Sequence, residues 1–280
     1  MTIVDHIIIA VADLPQATAD YSAMLGLAPS WQGSHPEYGS ANSIFRVQNT
    51  YVELLAAVGE GFAGEQINAH LEVKGEGLSG LIFGVEDVTA FLANARAKGL
   101  EVTDPVDGHG VDTKSGAKRT WRTMFWDFAA ARGIFSFAIQ HDDPEAIAMA
   151  QATGDAPFTA VDHVVVQTKS AEAAKQFYGD QLGVRLALEQ SRPQWGGDML
   201  FFRCNHMSIE VIASQKHESD DDHLWGLAYK TDDIDASHAR MVAAGIEVSE
   251  VREGRKPNTR VCTVKSHCAN VPTLLIGTTD

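Results

Sequence analysis

The chain has 280 residues, 45% hydrophobic and 21% charged, which is material for two domains with proper cores. A formal charge of -15, from 22 basic and 37 acidic residues, argues against a nucleic-acid partner, because that binding runs on Lys and Arg against phosphates. No apolar run nears the roughly 20 residues of a membrane helix, and no basic flank precedes an apolar stretch at the start, so the expectation is a cytoplasmic protein without membrane contact.

Ile3 to Val11 is rich in β-branched residues, as a strand requires. Asp13 then caps a predicted helix with Pro15 in its first turn, running through Ala17, Tyr21 and Met24 to a stop at Gly26. Ser43 to Val47 and Thr50 to Leu55, joined by Gln48-Asn49, read as a tight hairpin. A second unit follows with a strand at Leu78 to Val85, a helix at Asp87 to Lys98, a stop at Gly99, and strands near Leu100 to Val102, Arg119 to Trp126 and Ile134 to Gln140. Asp142 to Ala150 reads as a capped connecting helix with an early proline. Two more units occupy Val161 to Ser214 and His223 to Ile276. Three cysteines, Cys204, Cys262 and Cys268, match no disulfide framework or zinc ribbon and are expected to be reduced.

The units repeat. At an offset of 157, Val4-Asp5-His6-Ile7 matches Val161-Asp162-His163-Val164, Tyr21 matches Tyr178, Phe45-Arg46 matches Phe202-Arg203, and Tyr51-Val52-Glu53 matches Ser208-Ile209-Glu210. At an offset of 146, Gly80-Leu81 matches Gly226-Leu227, Asp87-Val88 matches Asp233-Ile234, and the run from Ala97 to Val102 matches that from Ala243 to Val248. The chain is therefore read as α+β, four tandem βαβββ units of roughly 70 residues in two similar halves. The predicted domains are 1–141 and 159–280, with 142–158 as connecting helix and linker.

His6 and Glu53, and likewise His163 and Glu210, are separated by 47 residues. A carboxylate set among Leu, Val and Ile is costly without a partner, so each pair is expected side by side on neighbouring strands as a metal-ligand or acid/base frame. Trp31, Tyr38, Trp121, Trp126, Trp195 and Trp225 near loops or strand ends offer an aromatic-lined pocket, and Arg46, Arg203 and Arg122 are candidates for holding a substrate carboxylate or enolate. Asp220-Asp221-Asp222-His223 reads as a solvated loop ending in a cap rather than a metal cluster.

These tandem units, each half opening on an Asp-His strand and closing its first unit on a Glu-bearing strand, resemble the vicinal oxygen chelate superfamily. The first half, with Ala12-Asp13-Leu14 and His35-Pro36-Glu37-Tyr38-Gly39, looks most like the glyoxalase-like domain branch. The resemblance implies two half-barrel lobes with a divalent ion in a cleft, ligated by His6 and Glu53 or by His163 and Glu210. Imidazole and carboxylate suit Zn, Fe, Mn, Co or Ni. It also implies lyase, isomerase or epimerase chemistry on a small carbonyl-containing or aromatic substrate, with Glu53 or Glu210 moving a proton. The second and fourth units depart from the family pattern: their matching positions are Gly80 and Gly226, and their closing strands carry no carboxylate. Either units one and three face each other in one His2Glu2 site, or a lobe recruits His206, His223 or His109. A metal-free protein that sequesters a small molecule is the alternative. Extradiol ring cleavage is disfavoured, because Gly226 and an aliphatic stretch replace two of that branch's three ligands.

Overall fold

The computed structural model describes residues 2–192 and 197–279, so Trp195 lies outside the described residues. The first lobe runs β1 (Ile3–Ala10), α1 (Leu14–Leu25), β2 (Trp31–His35), β3 (Ser40–Arg46), β4 (Tyr51–Ala57), α2 (Phe62–Lys74), β5 (Gly77–Gly84), α3 (Val88–Ala97), β6 (Val106–Asp112), β7 (Lys118–Phe125) and β8 (Phe137–His141). The second runs β9 (Phe158–Thr168), α4 (Ala171–Ala174) with a π-helical continuation over Lys175–Gln181, β10 (Arg185–Arg192), β11 (Gly197–Cys204) and β12 (Met207–Ala213). It ends with β13 (His223–Thr231), α5 (Ile234–Ala243), β14 (Arg252–Glu253), β15 (Thr259–Val264) and β16 (Thr273–Thr278). The molecule is thus α+β, with two eight-stranded sheets built from βαβββ units.

Helix starts repeat at the level of single hydrogen bonds. Asp13 accepts from Gln16 N, Asp87 from Thr89 N and Ala90 N, Ser170 from Ala173 N, and Asp233 from Ala236 N. Each cap satisfies an otherwise orphaned amide of the first turn. Gly26 ends α1 with φ of 68°, a left-handed conformation that costs glycine little. The core repeats too: Tyr21 packs on Phe45 with centroids 6.3 Å apart, and Tyr178 packs on Phe202 at 5.4 Å.

In each lobe the first strand joins the two units. β1 pairs parallel with β4 and antiparallel with β5, and β9 does the same with β12 and β13. Neighbouring units therefore share a sheet, and units one and three do not. One face of β1, with Val4, Ile7 and Ile9, joins the apolar core that both lobes share, as do Val164 and Val166 of β9. Side chains alternate along a strand, so His6 and His163 lie on the faces turned away from that core. A shared His2Glu2 site does not form.

Three features differ from the sequence expectation. The first lobe is a closed barrel rather than a half-barrel, because β2 also pairs with β6 at Gly33–Asp112 and Ser34–Val111. Asp112 fastens this seam, accepting from Gln32 N at 3.0 Å while its other oxygen accepts from Lys114 N, Ser115 N and Ser115 Oγ. Among the described residues the second sheet keeps its two edges, β10 and β14, unjoined. The segment from Asp142 to Ala150 forms turns, not a helix, because Arg46 takes the carbonyls of Pro144 and Ile147 that a helix would use. Leu100 to Val102 is not a strand, and β6 begins only at Val106. Among the described residues no helix is long and apolar enough to cross a membrane.

Candidate functional site

The register of β1 and β4 sets Ile8 opposite Glu53 and His6 opposite Tyr51, so His6 and Glu53 project onto the same face two residues apart. His6 Nε2 lies 3.3 Å from Glu53 Oε2, with both side chains buried inside the barrel. Glu53 Oε1 accepts from Asn42 Nδ2 at 2.5 Å, and Asn42 Oδ1 accepts from Gly33 N at 2.9 Å. Tyr51 stacks on the His6 ring, centroids 4.6 Å apart and planes 11° from parallel. Ile8, Ile82 and Ile139 form an apolar cluster deeper in the barrel.

Adjacent residues on a strand ordinarily face opposite ways, yet Asp5 reaches His6. The register of β1 against β5 slips between Val4 and His6, leaving Asp5 as an extra residue in a β-bulge that turns its carboxylate back. Asp5 Oδ1 sits 2.6 Å from His6 Nδ1, and both Asp5 oxygens lie 3.2 Å from His141 Nε2. Burial pushes the Asp5 carboxyl up, but hydrogen bonds and charge from His141 and His6 outweigh it and hold the group well below the usual carboxylate range. A carboxylate on Nδ1 selects the tautomer that directs Nε2 toward Glu53.

The second lobe repeats the arrangement on an open sheet, where the corresponding residues are half-buried. Asp162 is the bulged residue between Val161 and His163; its carboxylate lies 2.9 Å from His163 Nδ1, and His163 Nε2 is 3.5 Å from Glu210 Oε2. Lys230 of β13, 3.2 Å from Asp162, is its second partner, whereas the second partner of Asp5 is His141 of β8. Burial raises the Glu210 carboxyl, partly offset by His163.

The remaining candidates are dispersed. Arg46 is committed to the 142–147 segment, bonding Pro144 O, Ile147 O and Glu145. Arg203 is exposed on β11 and bonds Ser208 Oγ. Arg122 alternates away from Trp121 on β7, and Trp121 faces the barrel interior. His206 is not on a strand beside Glu210: it sits with Asn205 in the β11–β12 turn, where both residues take positive φ as a tight hairpin demands. His223 is paired with Gln167, four residues along β9 from His163, roughly 13 Å away at strand rise. His109 is exposed on the outside of β6. Asp222, expected in a solvated loop, is buried in an ion pair with Arg132.

Several residues at the site are not singled out by the sequence as ligands or substrate contacts. Arg119 is buried between Trp31 and Trp121, its guanidinium carbon 5.1 and 4.8 Å from the two ring centroids. Asn42, Tyr51, His35 and His141 also face the first-lobe interior or its mouth. Burial, with Arg119, lowers the His35 pKa, and Glu53 opposes the shift. Only strand parity combined with closure of the barrel brings these residues together.

Whether the donors suit a divalent ion depends on kind and spacing. Two ligands bound cis at about 2.1 Å lie about 3 Å apart, so the imidazole and carboxylate of each lobe fit as a two-residue corner, with the Asp carboxylate behind the imidazole. The positions that would complete the frame carry no donor: Gly80 and Phe137 in the first lobe, Gly226 and Leu274 in the second. Among the described residues no group of three or more His, Cys, Asp or Glu side chains is placed to hold a metal ion.

Comparisons with known proteins agree with this architecture. A family model described as glyoxalase-like domain matches residues 4–159, and one described as the glyoxalase/bleomycin resistance protein/dioxygenase superfamily matches residues 162–263. No protein of curated function matches the sequence. Among solved structures, a hypothetical protein from Staphylococcus aureus is 13% identical with a TM-score of 0.68, covering 100% of both chains. A mutant 4-hydroxymandelate synthase from Streptomyces coelicolor is 16% identical with a TM-score of 0.69, over 99% of this chain and 93% of the other. The Mn(II)-bound glyoxalase from Novosphingobium aromaticivorans is 16% identical with a TM-score of 0.63, over 99% and 83%. At such identities the likeness shows the fold alone. With the family model matched over more than half its length, and the Asp-His and Glu strands duplicated, the chain belongs to the glyoxalase-like branch of the vicinal oxygen chelate superfamily.

Proposed function

We propose that this chain is an enzyme that moves a proton on a small, oxygen-bearing organic substrate, acting as a lyase, isomerase or epimerase, with a divalent metal held by His6 and Glu53. The observation that carries this reading is the Asp-His-Glu arrangement, built twice with the same bulge and the same strand register. A bound divalent ion would supply Lewis-acid stabilisation of an oxyanion developing on the substrate. Asp5 keeps a proton on His6 Nδ1, so Nε2 presents its lone pair toward Glu53. Asn42 fixes Glu53 Oε1, so Oε2 is the oxygen that would ligate the ion beside His6 Nε2 and, when not ligating it, accept a proton as general base. The isoleucine cluster beneath the pair keeps water from that side. The first lobe is favoured because its pair is enclosed, whereas His163 and Glu210 are more exposed.

Elemental analysis of protein purified without added metal, on wild type, Glu53→Gln and Glu210→Gln, tests the proposal. We expect divalent metal in the wild type, its loss together with turnover in Glu53→Gln, and a smaller change in Glu210→Gln. The half-empty ligand frame favours one rival, a metal-free protein that sequesters a small molecule. Absence of metal from all three proteins, with neither substitution altering the binding of any screened ligand, would replace the enzyme reading by that one.

A further inference from the structure

We infer that the first barrel receives a small carboxylate-bearing ligand, held by Arg119 at the mouth of the barrel. The inference deepens the proposed function by naming the substrate class, and it rests on that reading only for the fate of the ligand, not for its binding. Arg119 is 8% exposed, and neither Nε nor Nη1 has a hydrogen-bond partner. Trp31 and Trp121 flank the guanidinium through their π faces, which orients it without using its N–H groups. Across the ladder stands Gly110, with no side chain to answer it. Trp31 Nε1 is a second buried donor without an acceptor. Buried donors in folded proteins are nearly always paired, so an arginine with two open nitrogens at the edge of a cleft calls for an acceptor-rich group from outside the chain. A carboxylate meets that need and supplies the missing charge.

The place for it is visible. A cleft of about 160 Å³ opens at this end of the barrel and is lined by Arg119, Tyr51, Asp5 and His141, among others. At about 30 Å³ per water it has room for roughly five waters, the size of an acid of a few carbons. Its roof is the 143–147 segment that Arg46 holds in position. Two carboxylates border the cleft. Asp5 is shared between His6 and His141, and Asp143 accepts from Glu145 N, so Arg119, which bonds Tyr51 but leaves Nε and Nη1 open, is the cation left to receive an anion. Trp31 and Trp121, the rings on either side of the guanidinium, would report a ligand's arrival.

Acetate, lactate, pyruvate and 2-oxobutanoate, each titrated against its neutral amide at matched ionic strength with tryptophan fluorescence as the readout, test this. We expect saturable quenching by at least one acid, at least 10-fold weaker binding of its amide, and loss of the acid preference in Arg119→Met. Should Arg119→Met not fold, Arg119→Lys keeps the charge but removes the planar fork of donors, and should weaken the acid several-fold. Equal binding of acid and amide by wild type, no binding by any of the four acids, or undiminished acid binding in both variants would overturn the inference. Repeating the titration after dialysis against EDTA separates the two readings, because the carboxylate preference should survive metal removal even if turnover does not.

Discussion

Asp5 and Asp162 occupy the same bulge, yet they differ in what surrounds them, and that difference sets how much each contributes. Asp5 is enclosed and bridges two imidazoles, whereas a quarter of the Asp162 side chain is exposed and its second partner is a half-exposed Lys230. Hydrogen bonds to a buried charge are each worth about 1.5–3 kcal/mol, and exposed ion pairs under about 1 kcal/mol. Asp5→Asn, which keeps the shape and removes the charge, should therefore cost about 2–3 kcal/mol in urea unfolding, and Asp162→Asn less than about 1 kcal/mol. Equal costs would show that burial is not what distinguishes them. The sequence carried His6 with Glu53 because parallel neighbouring strands and a period of two fix which residues meet. Arg119 was not legible: Lys118-Arg119-Thr120 alone reads as a solvated strand end, and only Trp31, brought alongside from a distant strand, makes it an interior residue.

Closure of the first barrel hangs on one short strand contact, β2 with β6, and on Asp112 at its end. Burial raises the Asp112 carboxyl, but bonds from Gln32, Ser115 and Lys114 outweigh it and hold it below the usual range. A carboxyl depressed in the folded state stabilises it at pH above the unfolded value, near 3.9, and that contribution fades as pH falls through the folded one. Asp112→Ala removes four hydrogen bonds and should cost about 2–4 kcal/mol at pH 7. The gap from wild type should narrow as pH is lowered below about 4, as read by denaturant midpoints at each pH; a gap independent of pH would mean the charge is not what fastens the seam. Capped helices and glycine stops were readable along the chain because they depend on local hydrogen bonds. The seam was not, because it joins residues about 80 apart by backbone pairing that leaves no pattern in side-chain type.

Across the whole molecule the two lobes share one apolar core, with Phe83 packed on Tyr178 and Trp126 on Phe177. Polar contacts tie them further: Asn205 in the second lobe bonds Val4 N and O, Asn49 bonds Val161, and Arg240 reaches the carbonyls that end α1. The strongest tie is Arg132, whose Nε and Nη2 take the two oxygens of Asp222 at 3.0 and 2.9 Å, with Asp222 almost wholly buried. Lobes fused in this way should unfold in one calorimetric transition whose midpoint any cross-lobe defect lowers as a unit. Arg132→Met strands a buried carboxylate and should cost about 3–5 kcal/mol, whereas Arg132→Met combined with Asp222→Leu replaces the pair by apolar contact and should recover most of the loss. Two resolved transitions in the wild type, or a double variant no more stable than Arg132→Met, would show instead that each lobe stands alone and that the ion pair only decorates their boundary.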